Sequence, residues 1–184
     1  MGAVGRLRHL HEQHAAALHA YALRRSDSQT AEEICAEVWT IAWRRIDEVP
    51  EDALPWLFGV ARRVLANERR RQRRVSALHD RLRAVRGVGA DSAPSLPSDP
   101  VLGKALRRLR PTDVEVLLLI AWEDLSPERA AAALGVKPGT FAVRLHRARA
   151  RLAAALEEET AARVGQEASF GPSAPKTTSQ EISR

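Results

Sequence analysis

The 184-residue chain has a single cysteine, Cys35, so neither a disulfide framework nor a cysteine zinc site can be built from it. On a helix, one such thiol acts as a small apolar filler. Glycine and proline, ten of each, and eight aromatic rings (four Trp, three Phe, one Tyr) are too few for the turns and cores of an all-β protein. Long apolar runs are also missing. The longest, residues 116–122, is far too short to cross a bilayer. The opening MGAVGRLRHLHEQH has no apolar stretch of the kind a signal peptide needs. Gly2 is not followed by the Ser or Thr that myristoylation expects, because Arg6 occupies that position. These absences predict a soluble, cytoplasmic protein.

Enzymatic chemistry finds little to work with. There is no phosphate-cradling glycine loop and no nucleophile beside a placed base. His9, His11 and His14 lie close together, but His11-Glu12-Gln13-His14 is one residue short of the zinc-protease spacing and the three would not share a helix face. The chain is therefore expected to be a non-enzyme that needs no metal and no cofactor.

What is abundant is Ala, Leu, Arg and Glu, the composition of an all-α chain. The net charge of +6 is unevenly spread. Residues 1–86 and 101–156 each carry +5, while residues 87–100 and 157–184 each carry −2. Two basic blocks on either side of an acidic stretch suggest two contacts with one polyanion. Between them, residues 87–103 (GVGADSAPSLPSDPVLG) show no helical periodicity and read as a flexible tether, and the tail after residue 160 is expected to be disordered. The resulting division is a helical domain over 1–86, a linker over 87–103, a second helical domain over 104–160 and a tail over 161–184.

Three helices are predicted in the first domain, over residues 7–25, 30–46 and 55–83. The second opens with Thr30 and Glu33 at capping-box spacing. Its Ile34, Val38, Ile41 and Ala42 point inward, and Trp39 and Trp43 beside them read as core. Pro55 suits the start of the third helix. That helix ends in RRVLANERRRQRR, residues 62–74, where five arginines fill six positions from Arg69 to Arg74. Each helical step turns about 100°, so the run covers more than one face and cannot all be buried. Phosphate is its natural partner. A solvated helix end or a clamp for an acidic protein is the alternative.

The second domain contains the most specific pattern in the chain, SPERAAAALGVKPGTFAVRLHRARARLAAAL over residues 126–156. Ser126 can cap a helix whose first position is Pro127, and Gly135 can end it in the left-handed region. Beyond a turn at residues 136–139, Phe141, Leu145, Ala148 and Leu152 form one apolar stripe. Val143, His146, Arg147 and Ala150 then face outward. This is a helix-turn-helix whose second helix suits the major groove.

Taken together, these residues resemble a bacterial RNA polymerase sigma factor of the extracytoplasmic-function (ECF) group, which keeps only the second and fourth conserved regions. The first half carries the likeness at Ala31-Glu32-Glu33, Glu37-Val38-Trp39, Trp56-Leu57, Ala61-Arg62 and the arginine run. The second half carries it at Leu109-Arg110-Pro111, Leu125-Ser126, Leu134-Gly135, Gly139-Thr140 and residues 144–149. The resemblance implies core RNA polymerase and promoter DNA as partners, and admits an anti-sigma factor as a third. It implies that helix 30–46 docks on the clamp coiled coil of the largest catalytic subunit through Glu33 and Glu37. The loop 48–54 and the start of the third helix would hold an unstacked base of the minus-10 element, at an unstacking cost of a few kcal/mol. Arg62, Arg63, Asn67, Arg70, Arg71 and Arg74 would contact that element or its backbone. At the minus-35 element, Val143, His146 and Arg147 would lie nearest the bases and Lys137, Thr140 and Arg144 nearer phosphate.

Some positions depart from the family pattern. Arg63 stands where asparagine is common, and Asn67 where aspartate or asparagine is usual. Arg129 replaces a glutamate and would add positive charge near DNA, while Ala130 replaces a larger aliphatic. Val143 replaces a serine, trading a hydrogen bond for contact with a thymine methyl. A stand-alone helix-turn-helix repressor and a purely protein-binding regulator are the competing readings.

Overall fold

A computed structural model describes residues 2–82 and 99–169, with side chains described over 2–74 and 99–164. Every regular element among the described residues is helical. The first half is a three-helix bundle of α1 (Ala3–Leu23), α2 (Ser28–Arg44) and α3 (Ala53–Leu82), with a short 3-10 turn at Ile46–Glu48. Leu10, Leu18, Tyr21, Ile34, Val38, Leu57 and Phe58 form its interior. The second half comprises α4 (Pro100–Arg108), α5 (Pro111–Ala121), α6 (Pro127–Leu134) and α7 (Pro138–Ser169).

Helix boundaries follow local chemistry, in places not the chemistry expected. Thr30 does not cap α2. The cap is Asp27, whose carboxylate accepts hydrogen bonds from the Thr30 amide at 2.9 Å and the Thr30 hydroxyl at 2.8 Å, so the helix begins a half-turn earlier. These bonds to the charged form hold the Asp27 carboxyl below its ordinary pKa. The last four residues of the expected tether are helical. Asp99 caps α4 through the amides of Val101 and Leu102, and Pro100 occupies the first turn. The remainder of the tether, residues 87–98, lies outside the described residues. The helix-turn-helix second helix also runs on to Ser169, so residues 161–169 are helical where a tail was expected, and residues 170–184 lie outside the described residues.

Trp43 is 44% exposed, not core. The inward positions Ile34, Val38 and Ala42 fill the stripe of α2, and Trp43, one step beyond Ala42, turns about 100° out of it. Trp39 is half-buried against His11, with ring centroids 4.9 Å apart. Cys35 is also half-buried and, as expected of a filler, burial and the nearby Glu32 push its thiol pKa up.

The two helical domains pack against each other. One continuous hydrophobic core runs from Leu10 through α3 into α5, α6 and α7. A Cβ built on Gly59 of α3 would sit 2.9 Å from the Ala133 carbonyl oxygen of α6, so glycine is what lets the two helix backbones approach.

Candidate nucleic-acid interface

The helix-turn-helix forms as its caps dictate. The Ser126 hydroxyl accepts the Arg129 amide at 3.3 Å, opening α6. Gly135 closes it at φ +65°, with its amide bonded to the Ala132 carbonyl and the Val136 amide to the Ala131 carbonyl, a Schellman ending. The second helix starts at Pro138, slightly before the expected position. Phe141, Leu145 and Ala148 are buried and Leu152 half-buried, which anchors the helix by the predicted stripe. The opposite face is bare. Lys137, Thr140, Val143, Arg144, His146 and Arg147 are all exposed, with Val143 at 51%. Among the described residues, Lys137, Arg144, His146 and Arg147 make no side-chain hydrogen bond or ion pair, so their donors are available to an incoming duplex.

In the arginine run on α3, Arg69 is half-buried and donates to the Arg25 carbonyl at 3.0 Å, while the exposed Arg73 donates to the Arg69 carbonyl at 3.2 Å. Arg62, Arg63, Arg70, Arg71 and Arg74 are exposed as well. Arg71 is partly neutralised by Glu68 at 2.8 Å, and that hydrogen bond keeps the Glu68 carboxyl below its usual range. Arg70 bonds the Asn67 side-chain oxygen, and Arg63 donates to the Gly59 carbonyl at 3.1 Å. Arg63 and Asn67 thus stand one turn apart on one face of α3, about three and four turns beyond its start.

On α2, Glu33 and Glu37 are exposed and share a face one turn apart, away from the Ile34 and Val38 stripe. Gln29 donates to Glu33 at 3.4 Å.

Sequence reasoning missed the constellation between the halves. Arg25, at the end of α1, is 3% exposed; its Nη1 lies 2.7 Å from Glu123 and its Nε 3.2 Å from Glu115. Its guanidinium also covers the Tyr21 ring at 3.6 Å. Arg24 makes a second ion pair with Glu123, and the Tyr21 hydroxyl donates to Glu115 at 2.8 Å. Tyr21 stacks on Phe58 with centroids 4.6 Å apart, and its burial, reinforced by Glu115, raises the phenol pKa well above the ordinary value. Arg129, expected near DNA, instead grips both oxygens of Asp52 in the loop before α3, at 2.7 and 2.9 Å. Side chains some 90 positions apart carry no local periodicity, so only the pairing of basic Arg24-Arg25 with an acidic Glu123-Asp124 inside a basic block hinted at this contact.

Among the described residues, no cluster of His, Cys, Asp or Glu could hold a metal ion. Among the same residues, no helix is long and apolar enough to cross a membrane.

Comparison with known proteins agrees with this layout. Residues 10–75 match the family model for sigma-70 region 2, and residues 101–152 that for sigma-70 region 4. The chain is 31% identical over 158 residues to the ECF RNA polymerase sigma factor SigL of Mycobacterium tuberculosis, spanning 83% of this chain and 89% of that protein. It is 37% identical over 81 residues to the RNA polymerase sigma-E factor of Streptomyces coelicolor, spanning 39% of this chain and 46% of that one. Among solved structures, it is similar to the sigma factor RpoE in complex with the anti-sigma factor NepR from Bartonella quintana, with a TM-score of 0.59 and 26% identity over 82% of this chain and 96% of RpoE. The fold also resembles CnrH in complex with the cytosolic domain of CnrY, at a TM-score of 0.57 and 22% identity over 83% and 88% of the two chains.

Proposed function

The chain belongs to the ECF group of RNA polymerase sigma factors, and from that premise we propose which of its surfaces perform each step of promoter recognition. As a sigma factor it binds core RNA polymerase and directs transcription initiation at minus-10 and minus-35 elements. Its work is binding, not catalysis, and it takes place in the cytoplasm where the polymerase is.

The α7 face formed by Lys137, Thr140, Val143, Arg144, His146 and Arg147 is assigned to the minus-35 duplex. The observation that carries this assignment is that the face is bare of internal partners while Phe141, Leu145 and Ala148 lock the opposite side. Arg147 supplies a fork of donors for a guanine edge, Val143 an apolar contact for a thymine methyl, and Lys137 and Arg144 charge for phosphate. The loop before α3, with Arg63 and Asn67, is assigned to the captured minus-10 base, and Arg62, Arg70, Arg71 and Arg74 to the neighbouring backbone. Glu33 and Glu37 are assigned to the polymerase clamp. On this reading the first domain ends near residue 86 and the promoter-reading second domain begins with α4. Because RpoE is found in complex with the anti-sigma factor NepR, we extend the same mode of control to this chain.

In vitro transcription with purified core polymerase and a promoter library randomised at both elements tests the reading. Transcripts should require both elements at a restricted spacing. Arg147→Ala should relax discrimination at the minus-35 element by about 1–3 kcal/mol per affected base pair. Arg63→Asn should change preference only at the minus-10 element. No directed transcription, together with tight binding to one palindromic duplex, would establish a repressor instead.

A further inference from the structure

One face of α3 carries Arg63, Asn67, Arg70 and Arg74, all exposed and spaced at helical intervals. The Arg63 Nε donates to the Gly59 carbonyl at 3.1 Å, which holds the guanidinium by one edge. Its two Nη groups have no partner among the described residues and form an outward fork. One turn on, the Asn67 side-chain oxygen accepts from an Arg70 Nη, so what remains of that amide is its NH2 group. The adjacent carboxylate, Glu68, lies about 100° around the helix from Asn67. It is also engaged by Arg71, at 2.8 and 3.0 Å. Arg63 and Asn67 together therefore present hydrogen-bond donors and no acceptor.

A donor-only pair discriminates among bases on chemical grounds. Adenine sets its N7 acceptor beside an N6 amino donor, and thymine offers O4 beside a methyl group. Cytosine carries an amino donor on its major-groove edge, and its two adjoining acceptors, N3 and O2, are open only in an unpaired base. Guanine puts two acceptors, N7 and O6, side by side on an edge that is open whether the base is paired or flipped out, and arginine meets that edge with two parallel hydrogen bonds. Phosphate also accepts from arginine, but it does so from many directions and needs no anchored fork. The bond to Gly59 fixes the plane of the Arg63 donors, which is what a flat base edge requires. Arg62 and Arg74, exposed and without a side-chain partner among the described residues, are the freer cations suited to backbone.

We infer that Arg63, with Asn67 beside it, reads a guanine of the minus-10 element through its N7 and O6 edge. The inference rests on the assignment of these two residues to minus-10 recognition and names the base they select. The Arg63 fork takes both acceptors, and the Asn67 NH2 group adds a third donor for the second lone pair of O6. An asparagine in place of Arg63 would offer one donor group and one acceptor on a shorter stem, so the guanine preference belongs to the arginine.

Holoenzyme assembled from purified core polymerase and the full chain tests this. Transcription from the library randomised at the minus-10 element should select guanine at one position of the non-template strand. Adenine at that position should cut initiation about tenfold or more, the discrimination expected of a two-bond contact. In the unaltered protein, 7-deazaguanine at the same position keeps O6 and base pairing but lacks the N7 acceptor, and should cut initiation about fivefold or more. Arg63→Asn should lower the guanine-to-adenine ratio about tenfold, become indifferent to 7-deazaguanine and keep the minus-35 preference. A minus-10 element with no guanine-selecting position, a guanine preference blind to 7-deazaguanine, or one that survives in Arg63→Asn would overturn the inference. Uniform weakening of Arg63→Asn on every promoter, with a flatter salt dependence, would also overturn it by marking a phosphate contact. Absence of any directed transcription would overturn the minus-10 assignment itself, and this inference with it.

Discussion

Arg25→Ala is the most demanding test of how the two halves are held. In the native fold its guanidinium has two carboxylate partners and an aromatic one: Glu123 at 2.7 Å, Glu115 at 3.2 Å, and the Tyr21 ring at 3.6 Å. Removing one partner of a buried ion pair typically costs about 3–5 kcal/mol. Loss of a desolvated cation–π contact adds about 1–2 kcal/mol. Two effects work the other way. Glu123 keeps Arg24, and the Arg25 Nη2, which has no hydrogen-bond partner among the described residues, is removed along with its desolvation penalty of about 1–3 kcal/mol. The net expectation is a loss of about 2–4 kcal/mol. The free energy of docking sets a ceiling, because the chain can separate its halves and let Glu123 reach water. For a chain of this length, each kcal/mol moves the melting temperature by about 2–4 °C, so a fall of roughly 4–16 °C is expected. Thermal melts followed by far-UV circular dichroism and by tryptophan fluorescence measure it, since Trp122 adjoins Glu123. Arg25→Ala/Glu123→Gln should lose less than the sum of its single changes, because the stranded charge is gone. A loss for Arg25→Ala below about 1 kcal/mol, or strict additivity in this cycle, would refute the reasoning.

Three further outcomes follow from the surfaces. Glu33→Lys with Glu37→Lys should weaken assembly with core polymerase and leave the melting temperature nearly unchanged, since exposed charges contribute little to stability; undiminished co-purification with core enzyme would exclude that interface. Replacing Arg70, Arg71 and Arg74 with alanine should weaken open-complex formation on all cognate promoters alike and flatten its salt dependence. A changed promoter preference at an unaltered salt slope would mean that the run reads bases. Burial lowers the His14 pKa from 6.5, with Asp52 opposing and Arg129 and His9 adding to the fall. The neutral ring's contribution is complete above that value and is lost as the pH falls through the lower folded one. The melting temperature should therefore drop more between about pH 7.5 and 5.5 in wild type than in His14→Gln, and equal drops would count against a neutral, half-buried imidazole.

What the sequence determined alone is whatever depends on neighbours within a few turns. The caps at Ser126 and Gly135, the stripe of Phe141, Leu145 and Ala148, and the bare arginine-bearing face opposite it all follow from helical geometry and backbone preference, and the structure has them as read. The same holds for the exposure of Glu33 and Glu37, set by the Ile34 and Val38 stripe. Where two local signals compete, the reading slipped. Asp27 outbid Thr30 as a cap because its carboxylate takes two bonds from Thr30 itself, and Asp99 began α4 inside a segment whose Gly, Pro and Ser content suggested none. Only the tertiary structure decided that Arg129 would pair with Asp52 and that Arg25 would be buried against Glu115 and Glu123. These partners lie 77 to 98 positions apart, so their pairing depends on how two finished modules meet, a matter of shape and desolvated charge that no periodicity encodes. Gly59 is the same lesson in one residue: within α3 it only weakens a helix, and its purpose becomes visible where Ala133 lies against it.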